Sequence, residues 1–477
     1  MAASVVTCGN LEIVPFKLER LIEFKLTRRI NEHERLYFSG VITEDYKDQQ
    51  IHDISPETII EVNQLDKDNQ KTLLFKGLVG HLEIKTVRGI YYIQVEAVSV
   101  TQKLDVKLKS RSFQNQNMTY EDLIKQVVQE YKGDIIDGAS QKEKIGKMIM
   151  QYQETDWQFL KRLASHFNAG LIPHALSDKP KLYFGAPEPQ GGADNKLENF
   201  HYRVSKNLAE YQFSSENSIP DINETDFIYY EVEGDQNLNL GAEVKFNDLK
   251  LYVREALSIL EGNIIKHRYF MSTQKGLSQP RIYNDQIVGL SIEGRVLEVA
   301  KDTVKVQLEI DAEQKVEEAW WFPYSSVYTA EGNSGWYCMP EIDDYVRIYF
   351  PTKKAEEAVA VNSARKDSDP GDNNKLDDPE IKYFRTKSGK ELMFSPAEII
   401  VTGKDNEIFL KLNDEEGIEI YSKKMVKIIA KEDLVMESEE ANVLIKAKEG
   451  IDISCDASKI KLNKTKVAIE GNEIKTN

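Results

Sequence analysis

The sequence predicts a mainly β protein with a small helical insert, ending in a rod of stacked short strands. Three observations carry this. Apolar pairs recur in the tail at a step of seven to nine residues, usually eight. Two stretches of β-rich runs, 1 to about 110 and 208 to about 270, flank a segment whose apolar period is helical. A unit of about five further strands, 285–363, stands before the tail.

Residues 1–110 alternate apolar and polar positions in runs such as Leu21–Leu26, Leu36–Val41, Thr72–Val79 and Tyr91–Val98, broken by polar turns. Such a pattern suits a small barrel. Residues 111–284 begin with helical signals. Thr119 opens a helix whose stripe is Leu123, Ile124, Val127, Val128 and Tyr131. Thr155-Asp156-Trp157-Gln158 is a capping box, with Leu160, Leu163, Ala164 and Phe167 following at helical spacing. Strands are expected to return from Leu208. Residues 285–363 suit a five-stranded OB-type barrel. Trp320, Trp321 and Trp336 either stack on a ligand there or fill the barrel and its contacts. Residues 364–385 read as a polar linker.

The tail, 386–477, carries the pairs Ile418/Ile420, Val426/Ile428, Leu434/Met436, Val443/Ile445, Ile451/Ile453, Ile460/Leu462 and Val467/Ile469. A spacing of two puts both members of a pair on one face of a strand. One such strand cannot offset its ordering entropy, roughly 1–2 kcal/mol per residue, so the units must stack. A single-chain solenoid, three chains wound about one axis, and an antiparallel meander all satisfy this. The meander is disfavoured here because Asn-Gly and Asp-Gly hairpin signals are missing between the pairs.

The net charge of −17 disfavours a nucleic-acid partner. The basic runs Lys103–Arg111 and Lys353–Lys354 read as solvated faces. Three well-separated cysteines fit a reducing compartment without disulfides. No signal peptide and no membrane span is recognisable, so the expected place of assembly is the cytoplasm.

Gln151-Tyr152-Gln153-Glu154-Thr155-Asp156-Trp157-Gln158-Phe159-Leu160-Lys161-Arg162-Leu163 closely resembles the QY-x-ETD-x-x-FL-x-RL signature of VgrG-type spikes of contractile injection systems. Leu74–Val79 and Arg111–Asn115 resemble two further segments of that family, whereas Pro351–Glu356 departs from it. The order of units agrees along the whole chain. The resemblance implies a tandem β-barrel hub, an OB-fold neck and a C-terminal triple-stranded intertwined β-helix, that is, a homotrimer. It implies a structural, non-enzymatic puncturing spike at the tip of an inner tube, ejected with its particle through a target membrane. The implied partners are an Hcp-like tube protein, baseplate proteins, a PAAR-type tip protein and effector cargo. The system is type VI secretion or a phage-tail-like relative.

On this reading Ile418, Ile420, Val426, Ile428, Leu434, Met436, Val443, Ile445, Ile451, Ile453, Ile460 and Leu462 form the trimer core of the rod. Ile474, Lys475, Thr476 and Asn477 meet the tip protein. Gln151, Tyr152, Glu154, Thr155, Asp156, Phe159, Leu160, Arg162 and Leu163 are structural. Glu154 and Asp156 could pair as catalytic carboxylates, but acids at a helix start are ordinarily structural. His166 and His174 lack a third metal ligand, and no histidine follows His267. Asp367, Asp369 and Asp372 lack the glycine and bidentate Glu of a calcium loop. Neither catalytic residues, cofactor nor metal are expected. The rival from another class is a monomeric carbohydrate-binding or polysaccharide-acting β-solenoid.

Overall fold

In the computed structural model, residues 7–66, 69–187, 195–197, 201–217, 219–328, 334–364, 366 and 378–475 are described. The chain forms two units, Met1–Asp367 and Ser368–Asn477.

Alternation dictates the first unit. In Arg20–Arg29 the inward positions are Phe24, Leu26 and Arg28, a strict period of two. This strand lies within one sheet of eleven. The path runs Leu11–Val14, Ile59–Leu65, Lys71–Val87, Ile90–Ser99, Arg35–Ile42, Arg20–Arg29, Leu249–Glu261, Ile264–Ser272, Ile228–Gly234, Tyr202–Lys206, with Glu243–Phe246 paired to Leu249–Glu261. The two β regions read separately from the sequence therefore share a ladder, Arg29 facing Glu255 and Lys25 facing Ile259. Each keeps its own core, around Phe38, Phe75 and Val95 in one and Phe246, Val253 and Tyr269 in the other.

Among the described residues four α-helices accompany the sheet: α1 (Glu44–Asp53), α2 (Tyr120–Gln129), α3 (Asp156–Ser165) and α4 (Leu208–Asn217). The predicted capping box of α3 is formed, with Gln158 N donating to Thr155 Oγ1 at 3.2 Å and Thr155 N to Gln158 Oε1 at 3.1 Å. Thr119 caps α2 in the same way, accepting from Asp122 N at 3.1 Å. The apolar stripes of α2 and α3 meet in a third core. The expectation of strand from Leu208 is wrong, because Asn207 nucleates α4 there. Its side chain accepts from Glu210 N at 3.1 Å, and its carbonyl from Tyr211 N.

Five strands, Ser291–Ala300, Thr303–Leu308, Trp321–Ser325, Tyr345–Tyr349 and Val359–Ala364, close into a barrel as anticipated. Its core holds Val304, Val306, Phe322 and Ile348. Trp320 packs against that core, Trp321 lies under the Lys305 ammonium, and Trp336 is exposed.

The second unit corrects the tail reading. Lys382–Arg385 is a strand, so the linker ends earlier than 385. The rest of that linker, with Asp367, Asp369 and Asp372, falls outside the described residues apart from Ala364, Lys366 and 378–381. Residues 382–422 form a five-stranded antiparallel meander, and 450–470 a three-stranded one. These ladders pair strands of the same chain. The turn signals were present in another form. Asn406 and Asp456 adopt the left-handed conformation. Asn413 accepts from Glu415 and Glu416 N–H groups, and Asn463 from those of Thr465 and Lys466. Between the two sheets the backbone has neither strand nor helix. It shows bends at 423–424, 431–432, 439–441 and 448–449, with unpaired stretches between them.

A buried charged cluster sits behind the shared ladder. Arg28 is buried and donates to Asn237 Oδ1 at 2.7 Å. Burial pushes the nearby Glu34 carboxyl up to about 7, with Arg28 working against that rise. Its proton is therefore held in the fold above its ordinary value of 4.5. That contribution is fully present below the unfolded value and is lost as pH rises through the folded one. Between pH 5 and 8 the wild type is expected to lose about 2–3 kcal/mol relative to Glu34→Gln. Urea unfolding of both proteins at the two pH values reads this directly, and parallel pH profiles would refute it.

Candidate assembly surface

Two arrangements concentrate the residues singled out in the sequence. The first is a buried polar knot around the α3 start. Strand Ile149–Glu154 pairs with Lys109–Phe113, which sets Arg111 opposite Gln151. Asp156 is completely buried and accepts four hydrogen bonds. Lys109 Nζ (2.6 Å) and Tyr131 OH (2.6 Å) donate to Oδ2, and Arg111 Nη2 (2.7 Å) and Gln151 Nε2 (3.0 Å) to Oδ1. Burial works against the Lys109 ammonium, yet its bonds to Asp156 and Glu130 raise it above its ordinary range.

Glu154 accepts a two-pronged bond from Arg162, at 2.8 and 2.7 Å, and the same guanidinium donates to the Met150 carbonyl. Each carboxylate is thus held by at least one cation, Asp156 by Lys109 and Arg111 and Glu154 by Arg162. Thr155 also donates to Asp105. Phe159, Leu160 and Leu163 are fully buried, and Tyr152 packs against the barrel core. The basic run is corrected here: Lys109 and Arg111 are mostly buried in this knot rather than solvated.

The strand before the knot reaches the barrel. Ser112 N and Oγ donate to Asp311 at 2.6 and 2.5 Å, Gln114 Nε2 to the Val306 carbonyl, and Trp320 N to Gln114 Oε1. Burial raises the Asp311 carboxyl, while the Ser112 bonds oppose this.

His166 and His174 do not converge. His166 Nδ1 meets Tyr120 OH at 2.9 Å, and His174 lies beside the Tyr183 ring. Among the described residues no group of three or more His, Cys, Asp or Glu is placed to hold a metal ion. No described helix is long and apolar enough to cross a membrane.

The second arrangement is an apolar face on each sheet of the C-terminal unit. Register aligns Phe384, Leu392, Val401, Leu410 and Ile420 in one row. Phe394, Ile399, Leu412 and Ile418 form the next row on the same face. In the second sheet Ile451, Leu462 and Val467 form one row, and Ile453, Ile460 and Ile469 another. Asp452 and Lys461 occupy the opposite face.

These faces are uncovered in the single chain. Ile418 is 72% exposed and Ile453 54%. Between the sheets Val426, Ile428, Leu434, Met436, Val443 and Ile445 are exposed too. Ile451 and Leu462 are half-buried by their sheet neighbours. Ile474 is exposed and Lys475 pairs with Glu473, whereas Thr476 and Asn477 lie outside the described residues. The sequence reading missed Phe384, Leu392, Phe394, Leu410 and Leu412. Their spacing of two was visible, but the irregular step between these earlier pairs hid them.

Residues 58–170, which include the knot from Lys109 to Arg162, match the model of the phage tail baseplate hub (GPD) family. No curated protein sequence matches the chain. Among solved structures the chain resembles the E. coli c3393 protein, described as a component of the type VI secretion system with structural similarity to the T4 bacteriophage tail proteins gp27 and gp5. Identity is 12% and the TM-score 0.50, over 74% of this chain and 99% of that one. It also resembles the Francisella PdpA–VgrG complex. The lidded form gives 10% identity and a TM-score of 0.54 over 87% of this chain and 80% of that one. The lidless form gives 9% and 0.52 over 84% and 93%. At such identities the likeness is one of fold. The mainly β fold with a small closed barrel and few helices, implied by the signature, is the fold found.

Removing the carboxylate of the knot leaves two mostly buried cations without their shared partner. Asp156→Ala is expected to destabilise the first unit by about 3–5 kcal/mol in urea unfolding. A loss within the ~0–1 kcal/mol of an exposed ion pair would show the knot to be peripheral.

Proposed function

We propose that this chain is a non-enzymatic structural protein, the homotrimeric hub and puncturing spike at the tip of the inner tube of a contractile injection system. The observation that carries the reading is the uncovered apolar face of the C-terminal unit. Burying one aliphatic side chain fully contributes roughly 1.5–3 kcal/mol. A dozen of them, partly covered already in the single chain, supply a gain of the same order as the ~4–15 kcal/mol that association costs, so the face favours a partner of equal hydrophobicity. Another copy of the same face supplies one. The number three rests on the resemblance to VgrG-type spikes.

In this arrangement three apolar faces close about an axis, with the charged faces outward. The unpaired stretches between bends at 423–449 offer free N–H and C=O groups, which pair across chains. Such interchain ladders give the stiffness a puncturing element needs. A single-chain solenoid would require successive strands in parallel register, and the ladders here are antiparallel. By the same resemblance the first unit docks on an Hcp-like tube and the baseplate. The end near Ile474 seats a PAAR-type protein and effectors ride on the assembly. The particle is built in the cytoplasm before ejection.

Light scattering on a sizing column tests the reading. The expected mass is three times 54.7 kDa, about 164 kDa. Ile453→Asp would bring three carboxylates onto the axis, at several kcal/mol each, and is expected to abolish the trimer while the hub keeps its circular dichroism. A wild-type monomer, or an unchanged trimer in the variant, would sink the proposal.

A further inference from the structure

A cavity of about 210 Å³ lies where α3 meets the barrel. Its charged lining is Lys147, Arg162, Arg281, Lys353, Lys354 and Glu356. Three of the cations are paired: Lys147 with Glu356 at 2.8 Å, Arg162 with Glu154 at 2.7 Å, and Lys354 with Glu357 at 3.0 Å. Arg281 and Lys353 have no carboxylate partner among the described residues. Both sit over the ring of Tyr283, at 5.6 and 3.9 Å from its centroid. The Nε of Arg281 is buried with no hydrogen-bond partner. A buried guanidinium N–H left unmade is costly, so the site is short of an acceptor. The Lys353–Lys354 run is exposed, as the sequence suggests, and also borders this cavity.

The neighbouring histidine feels the same field. Burial first, then Arg281, Arg162 and Lys147, push the His166 imidazole down to about 3. In a chain of net charge −17 this local excess of positive charge does not follow from overall composition.

We propose that the cavity is an oxyanion site, in which Arg281 donates from its planar fork and Lys353 supplies a second positive charge. Its volume is below the ~300–1,000 Å³ of pockets for drug-sized molecules. The ligand is therefore a small anion or one acidic group: phosphate, sulfate or carboxylate. An arginine fork matches such groups in two-pronged geometry. A bound anion would tie α3, the segment at Arg281 and the barrel loop at Lys353 together. The proposal stands apart from the self-association reading, since every lining residue lies in the first unit.

The test is thermal unfolding of the full chain in inorganic phosphate against sodium chloride at matched ionic strength. The expected result is a saturable rise in Tm with phosphate. Its apparent affinity should weaken about tenfold or more in Arg281→Met, and also in Lys353→Gln. If phosphate leaves the wild type unmoved while both variants lower its native mass, the anion is an acidic side chain of another copy. Two results overturn the site. One is phosphate acting no differently from chloride, with both variants matching the wild type in Tm and mass. The other is an identical phosphate response in all three proteins.

Discussion

The first unit depends on one desolvated carboxylate. Asp156 has no access to water, and four donors from three separate places in the chain replace it. A buried charge without partners would be untenable, so Lys109, Arg111, Tyr131 and Gln151 must arrive together. Their arrival fixes strand Lys109–Phe113 against Ile149–Glu154, and with it Ser112 and Gln114 against the barrel. The same turn begins α3, whose apolar side fills the helical core. One constraint thereby sets the relation of three structural layers, which is why a short stretch of sequence carries so much of the fold's identity.

The second unit is governed by the opposite condition. Its sheets satisfy their backbone groups but not their side chains, leaving one face aliphatic and the other charged. Between the sheets the backbone forms no strand ladder, while bends keep the spacing of the sequence repeat. Exposed hydrophobic side chains and backbone without a strand partner lie on the same segment.

Much of this was legible in the sequence. The five strands of the barrel, the capping box at Thr155 and the stripe of α2 followed from local rules that tertiary contacts did not override. The start of α3 at Thr155 is where Glu154 and Asp156 enter their ion pairs. What escaped notice were signals of a different kind. Asn207 starts a helix, Asn413 and Asn463 make turns, and each acts through a side-chain oxygen rather than through the glycine pairs that were sought. Nor could spacing reveal that Lys109 and Arg111 turn inward, because their partner Asp156 lies far along the chain. The repeat fixed which residues share a face, but not whether their ladder partners come from the same chain.

The shared ladder of the first unit has a consequence for synthesis. Arg20–Arg29 pairs on one side with Arg35–Ile42, which follows at once, and on the other with Leu249–Glu261. At ~5–20 residues per second, roughly 10–45 s pass before that second partner leaves the ribosome. For this interval the nascent chain carries a strand edge with nothing beside it. Its open flank bears Lys25, Arg28 and Arg29, charges that discourage pairing with stray neighbours. When Leu249–Glu261 arrives, Glu255 takes up Arg29 at 2.7 Å. Arg29, one of the charges that guard the waiting edge, thus also helps recognise the strand it waits for.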